Sequence, residues 1–333
     1  GPWTLAAGSA GARLAGSRGE SVDDNSAGPF AVVAEGLRRT YDDVLAVDGV
    51  NLSIQAGELF ALLGPNGSGK TTTIGMLTCL LHLDSGSAHV LGHDVTQDQL
   101  GVKSVISVVP QETAVAEHLN GWENLRLMAG LHGVPPDRAQ ARSAELLEVL
   151  GLTSRAGQQA RKYSGGLKRR LSIAMALVSD PKVLFLDEPT LGLDPQARRG
   201  LWEHITSIKG DITVMLTTHY MEEADASADR VAIMDAGRIV AEGTPAELKA
   251  GVSPGRSRRS WAADWMRPRW RICGRYPHAT SVAGGVEIPG EDVDFSQVQR
   301  VLRPHGVTID SIGRKQASLD DVFLSLTGKQ WRE

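Results

Sequence analysis

Gly64-Pro65-Asn66-Gly67-Ser68-Gly69-Lys70-Thr71 is the stretch whose reading decides the fold. It fits the pattern G-x-x-x-x-G-K-[ST] and lies between two telling neighbours. Before it, Leu59-Phe60-Ala61-Leu62-Leu63 is an apolar run of strand length; after it, Thr72-Thr73-Ile74-Gly75-Met76-Leu77 opens a helix. Strand, glycine-rich loop and helix in that order form a phosphate-binding P-loop. Glycine tolerates positive φ and close backbone approach, so successive amides can point inward at α- and β-phosphates, at the positive end of the helix. Lys70 would reach the β/γ oxygens, and Thr71 would ligate Mg²⁺. A helix end gives roughly 0.3–1 kcal/mol per charge, and a hydrogen bond to a charged group about 1.5–3 kcal/mol. Lys70 and the amide nest should therefore outweigh the dipole.

The 333 residues suffice for one large α/β domain and a smaller one. With 35 Lys and Arg against 39 Asp and Glu, the net charge of −4 points to neither nucleic acid nor a polybasic membrane anchor. The longest apolar runs, Leu59–Leu63 and Val183–Leu186, fall far short of the roughly 18 residues a membrane span needs. Any membrane crossing must then be done by another chain. The two cysteines, Cys79 and Cys273, lack metal-ligand spacing and suit a reducing cytoplasm. Residues 1–29, rich in Gly, Ala and Ser, read as a disordered leader.

From 30 to 250 strands alternate with helices, and one long helical stretch, about 113–178, interrupts them. The fold class expected is an α/β P-loop NTPase core with an inserted helical subdomain and a small C-terminal α/β appendix. Residues 105–109 read as a strand ended by Pro110, with Gln111 at its tip. Val183-Leu184-Phe185-Leu186 delivers Asp187 and Glu188 at its C-terminal edge, and Val214-Met215-Leu216-Thr217-Thr218 delivers His219 in the same manner. Ligands of open parallel sheets bind at those edges, so Lys70, the carboxylate pair and His219 should meet in one crevice. Residues 231–234 and 239–241 read as a hairpin around Ala236-Gly237, and Thr244-Pro245-Ala246-Glu247 carries an N-cap, a proline at N1 and a capping-box Glu. Residues 251–281 form a linker rich in Arg and Trp, read as poorly ordered rather than as a nucleic-acid or membrane surface, or as an out-of-frame reading of a GC-rich gene. Residues 282–333 resume a globular pattern: a helix near Val298–Leu302, a strand at 307–312, and a final helix with Val322, Phe323 and Leu326 on one face, capped by Ser318.

Tyr163-Ser164-Gly165-Gly166 precedes a helix at 167–177, which makes it a second phosphate site of the helix-N-terminal kind. A P-loop, then Ser-Gly-Gly before a helix, then Asp-Glu and a downstream His, resembles the ATP-binding cassette proteins over 30–250. The resemblance implies binding and hydrolysis of ATP with Mg²⁺. Gly64 to Thr71, with Thr72, would hold the phosphates, and Tyr41 would stack on adenine. Gln111 would be the Q-loop glutamine, near Mg²⁺ and the transport partner. Asp187 would hold Mg²⁺ through water, Glu188 would activate the attacking water, and His219 would contact the γ-phosphate. Asp194, in Gly192-Leu193-Asp194-Pro195, would be the D-loop aspartate facing a second protomer. Ser164, Gly165 and Gly166 would close on ATP held by that protomer, so that ATP clamps a head-to-tail homodimer. Leu167-Lys168 stands where Gln often follows the glycines; the serine and both glycines are kept, which implies activity.

Thr218-His219-Tyr220-Met221-Glu222-Glu223-Ala224, the Tyr163 signature and Ser318-Leu319-Asp320-Asp321-Val322-Phe323 are similar to the ATP-binding subunits of bacterial drug exporters of the daunorubicin-resistance type. That implies a separate integral-membrane permease, residence at the cytoplasmic face of a bacterial membrane, and export of a hydrophobic drug or natural product. The competing readings are a soluble regulatory or translation-linked cassette ATPase, which would usually carry two cassettes, and an importer ATPase, which would have a different C-terminal domain. A non-catalytic binding module would need a damaged Lys70 or Asp187-Glu188.

Overall fold

The computed structural model describes residues 30–252, 280–282, 285–287 and 317–328. Expectations for 1–29, for most of the Arg/Trp stretch, and for the helix near 298 and the strand at 307–312 lie outside the described residues.

The chain opens with strands β1 (Phe30–Tyr41), β2 (Val44–Gln55) and β3 (Leu59–Leu63), then helix α1 (Lys70–Leu77). Strands β4 (Ser85–Val90) and β5 (His93–Asp94), helix α2 (Gln99–Val105) and strand β6 (Ile106–Val109) follow. The insert holds α3 (Gly121–Leu131), α4 (Pro136–Val149) and α5 (Gly165–Leu177). Next come β7 (Val183–Leu186), α6 (Pro195–Ser207), β8 (Thr213–Thr218), α7 (Met221–Ser227), β9 (Arg230–Asp235), β10 (Arg238–Gly243) and α8 (Pro245–Ala250). A short antiparallel pair, β11 (Thr280–Val282) and β12 (Gly285–Glu287), precedes α9 (Leu319–Thr327).

A six-stranded sheet in the order β10-β9-β3-β8-β7-β6 forms the centre. Neighbours from β9 to β6 run parallel, with Leu63 opposite Thr218, Leu186 opposite Leu216 and Val109 opposite Leu186. All five residues of β3 are fully buried, because both faces are covered. Leu59, Ala61 and Leu63 join one apolar cluster with the insert and the C-terminal helices; Phe60 and Leu62 join a second with β1, β2, β4 and α1.

Three features differ from the sequence reading. The chain does not alternate strand and helix from its start: β2-β1-β4-β5 is a separate antiparallel sheet, its β1/β2 ladder broken by bulges at several positions. Val105 ends α2, and the strand begins at Ile106. The helical insert starts only at Gly121, where Asn120 and Glu123 form a capping box. Asn124, fully buried, holds the loop before it by bonding both backbone groups of Ala116 and the carbonyl of Leu119.

The hairpin β9/β10 and the Thr244 capping box stand as expected. So does the Ser318 cap, with Asp321 as its reciprocal partner. Helix α9 packs on α7 and α8, and its Leu319, Val322 and Phe323 belong to the same apolar cluster as the central sheet. At its C-terminus, Gly328 takes the left-handed conformation (φ 68°) that stops the helix. Phe323 is 2% exposed, so Phe323→Ala should cost about 3–5 kcal/mol, read as a lower urea midpoint at unchanged m-value. A midpoint equal to wild type would show that α9 contributes nothing to the cassette.

Candidate active site

The parallel sheet ends β3, β8, β7 and β6 at one edge, so Gly64, His219, Asp187 and Pro110 leave the sheet side by side. The P-loop wraps there because its glycines allow it. Gly67 and Gly69 have φ of 78° and 106°, and a Cβ on Gly64 would sit 2.3 Å from Ser68 Oγ and 2.6 Å from the Met234 carbonyl. No side chain caps α1, and its first turn carries no acid, so its N-terminal amides face the loop without a protein anion. Ser68 Oγ is buried with no hydrogen-bond partner. A cradle of amides and one orphaned hydroxyl suits a phosphate chain. Lys70, 5% exposed, donates to the Gly64 carbonyl (2.8 Å) and the Pro65 carbonyl (3.2 Å).

Asp187 and Glu188 follow β7 and are each 5% exposed. Buried carboxylates need partners, and each is met from the start of α1 and the end of β8. Asp187 Oδ1 accepts from Thr71 Oγ1 (3.2 Å) and Thr217 Oγ1 (2.5 Å), and the same Thr217 hydroxyl accepts the Glu188 amide (2.9 Å). Glu188 Oε1 lies 3.2 Å from Lys70 Nζ, an ion pair without hydrogen-bond angles, and Oε2 lies 2.7 Å from His219 Nδ1. Facing a carboxylate, Nδ1 carries the proton, a choice fixed by its partner. Glu188 has φ 46°, a left-handed setting that costs a side-chain-bearing residue about 1–2 kcal/mol. Thr71 and Asp187 set a hydroxyl and a carboxylate together, the donor type of a hard cation.

The side chains of the remaining expected site residues do not bond to this cluster. Ser164 caps α5, its Oγ accepting the Leu167 amide at 3.4 Å, and is exposed with Gly165. Asp194 caps α6 by accepting the amides of Gln196 (3.0 Å) and Ala197 (2.9 Å). Tyr41 is 39% exposed, with the Arg39 guanidinium 5.0 Å from its ring centre; Arg39 is itself paired to Asp84 at 2.8 Å. Gln111 is exposed on the loop after β6. Among the described residues, no hydrogen bond or ion pair joins Ser164, Gly165, Gly166, Asp194 or Tyr41 to the Lys70 cluster.

Two groups in the site were not foreseen. Thr217 bridges both carboxylate-bearing residues; a threonine at the end of the strand that delivers His219 was the signal. Glu223, whose carboxyl burial pushes up, accepts from Thr190 Oγ1 (2.9 Å) and faces Arg198 Nε (3.3 Å), tying the loop after Glu188 to α6 and α7. The Lys168 side chain pairs with Glu117, anchoring the start of α5 to the loop that follows Gln111.

A P-loop, a carboxylate pair and a histidine at adjacent ends of a parallel sheet, with a helical insert between them, define a nucleotide-binding ATPase core. The ABC transporter family matches residues 47–191. The chain is 38% identical over 319 residues to the daunorubicin resistance ATP-binding protein DrrA3 of Streptomyces coeruleorubidus, covering 91% of this chain and 97% of that one. It is 37% identical over 301 residues to the Nod factor export ATP-binding protein I of Cupriavidus metallidurans, covering 89% and 97%. The solved cbiO1 subunit from Clostridium perfringens, part of the ABC transporter complex cbiONQ, superposes with TM-score 0.62 at 28% identity, over 66% of this chain and 91% of that one. The ATP-binding subunit of another ABC transporter gives 0.60 at 27%, over 66% and 92%. The chain belongs to the ATP-binding cassette family, as an ABC ATPase of the drug-exporter type.

Proposed function

We propose that the chain is the ATP-hydrolysing subunit of an exporter, which energises efflux of a hydrophobic drug or natural product through a separate membrane permease at the cytoplasmic face of a bacterial membrane. The observation that carries this reading is the contact cluster of Lys70, Thr71, Asp187, Glu188 and His219 at one sheet edge. Phosphoryl transfer needs positioning and charge neutralisation more than covalent chemistry. Lys70 would turn from the loop carbonyls and Glu188 to the β/γ oxygens of ATP, aided by the amides of 64–72. Tyr41 would cover the adenine. Glu188, then freed from Lys70, would take the proton of the attacking water, with His219 beside it at the γ-phosphate. Thr71, Asp187 and Gln111 would hold Mg²⁺, which when bound neutralises charge on the phosphate oxygens.

Ser164, Gly165 and Asp194 are exposed, and neither they nor Gly166 bond to the cluster, which supports their use toward ATP held by a second copy. ATP would then clamp two chains, and hydrolysis would release them. No helix among the described residues is long and apolar enough to cross a membrane, which supports a separate permease. Relatives named for daunorubicin resistance and for Nod factor export match at nearly equal identity, which supports placing cargo choice in that permease.

Light scattering on the Glu188→Gln chain checks the clamp: mass should double with saturating ATP and not with ADP. A monomer under both conditions would overturn the two-chain site.

A further inference from the structure

Arg169 is a buried cation that the proposed reaction does not use. It sits on α5 beyond the Ser164 cap and is 3% exposed. Its guanidinium donates to four backbone carbonyls: Nε to Pro189 (2.8 Å), Nη2 to Asp187 (2.8 Å), and Nη1 to Gln111 (3.2 Å) and, more closely, to Pro110. Burial pushes its pKa down to about 10, opposed by the charges of Asp187 and Glu188, so it is a cation at neutral pH.

Two of those carbonyls belong to the residues on either side of Glu188. A left-handed, side-chain-bearing residue persists only where its surroundings over-determine it; the Asp187 bond fixes the peptide group entering Glu188, and the Pro189 bond fixes the peptide group one residue beyond it. The other two belong to Pro110, just after β6, and to Gln111. A planar fork of five donors can hold four carbonyls in fixed directions, whereas a lysine offers three donors from one point.

We propose that Arg169 is a positioning residue for hydrolysis: it holds Glu188 in its left-handed setting through the Asp187 and Pro189 carbonyls, and locks that setting to the Gln111 loop. The proposal rests on the reading of Glu188 as the base. A misplaced base loses rate without losing nucleotide. Arg169→Met should therefore lower the single-turnover hydrolysis rate about 10- to 100-fold, with affinity for a fluorescent ATP analogue held within about threefold. Arg169→Lys should recover part of the rate. In a Glu188→Gln background, Arg169→Met should give no further loss.

A parallel fall in rate and affinity would assign Arg169 to general folding and overturn the proposal, as would losses that multiply in the double variant. If Arg169→Met does not fold, the cycle with Arg169→Lys is judged by the same two criteria. Wild-type turnover in Glu188→Gln alone would instead overturn the reading of Glu188 as the base, and the proposal with it.

Discussion

Replacing Glu188 with Gln should lower ATP turnover by roughly 10²–10⁴-fold, the range over which a positioned general base acts, and leave nucleotide binding nearly intact. The substitution keeps shape and removes the proton acceptor. Lys70 loses its 3.2 Å ion pair but keeps the Gly64 and Pro65 carbonyls, so the P-loop is still held. The Glu188 amide still donates to Thr217 Oγ1, because that bond is made by the backbone. Steady-state phosphate release, paired with titration of a fluorescent ATP analogue, separates the two effects. Turnover within threefold of wild type would remove Glu188 from the proton transfer.

Lys70→Met acts on the other side of the same pair and should weaken ATP binding by about 10- to 150-fold, the equivalent of roughly 1.5–3 kcal/mol for a lost charge-assisted hydrogen bond. It should also destabilise the free chain. Glu188 would be left 5% exposed with its Oε1 unpaired, and removing one member of a buried ion pair costs about 3–5 kcal/mol. Isothermal titration and thermal melting read the two consequences independently. Unchanged affinity would exclude Lys70 from the phosphates; an unchanged melting temperature would show that water or His219 satisfies Glu188.

The placement of the candidate site was legible where its signals are local. The P-loop, the Asp187-Glu188 pair after an apolar run and His219 after another are contiguous signals, and a parallel sheet brings strand ends together by topology. What escaped depends on contacts between distant segments. Arg169 looks like one of the five basic residues between Arg161 and Arg170; only the fold shows it turned inward onto Pro110, Gln111, Asp187 and Pro189. The antiparallel sheet escaped because bulges between Ala34 and Leu37, and again at Arg39, break the two-residue alternation that marks such strands. Helix α9 showed its apolar face at Leu319, Val322 and Phe323, but nothing in the sequence named α7 and α8 as the surface it covers.

That covering has a consequence in time. Chains leave the ribosome N-terminus first at about 5–20 residues per second. Residues up to Gly251 contain every group in the Lys70 cluster, yet the helix carrying Phe323 is made only after 252–318 have been added. For several seconds the nascent cassette therefore carries a finished phosphate loop and an open apolar wall on α7 and α8. Until the last helix docks, that wall is the aggregation-prone surface of the growing chain.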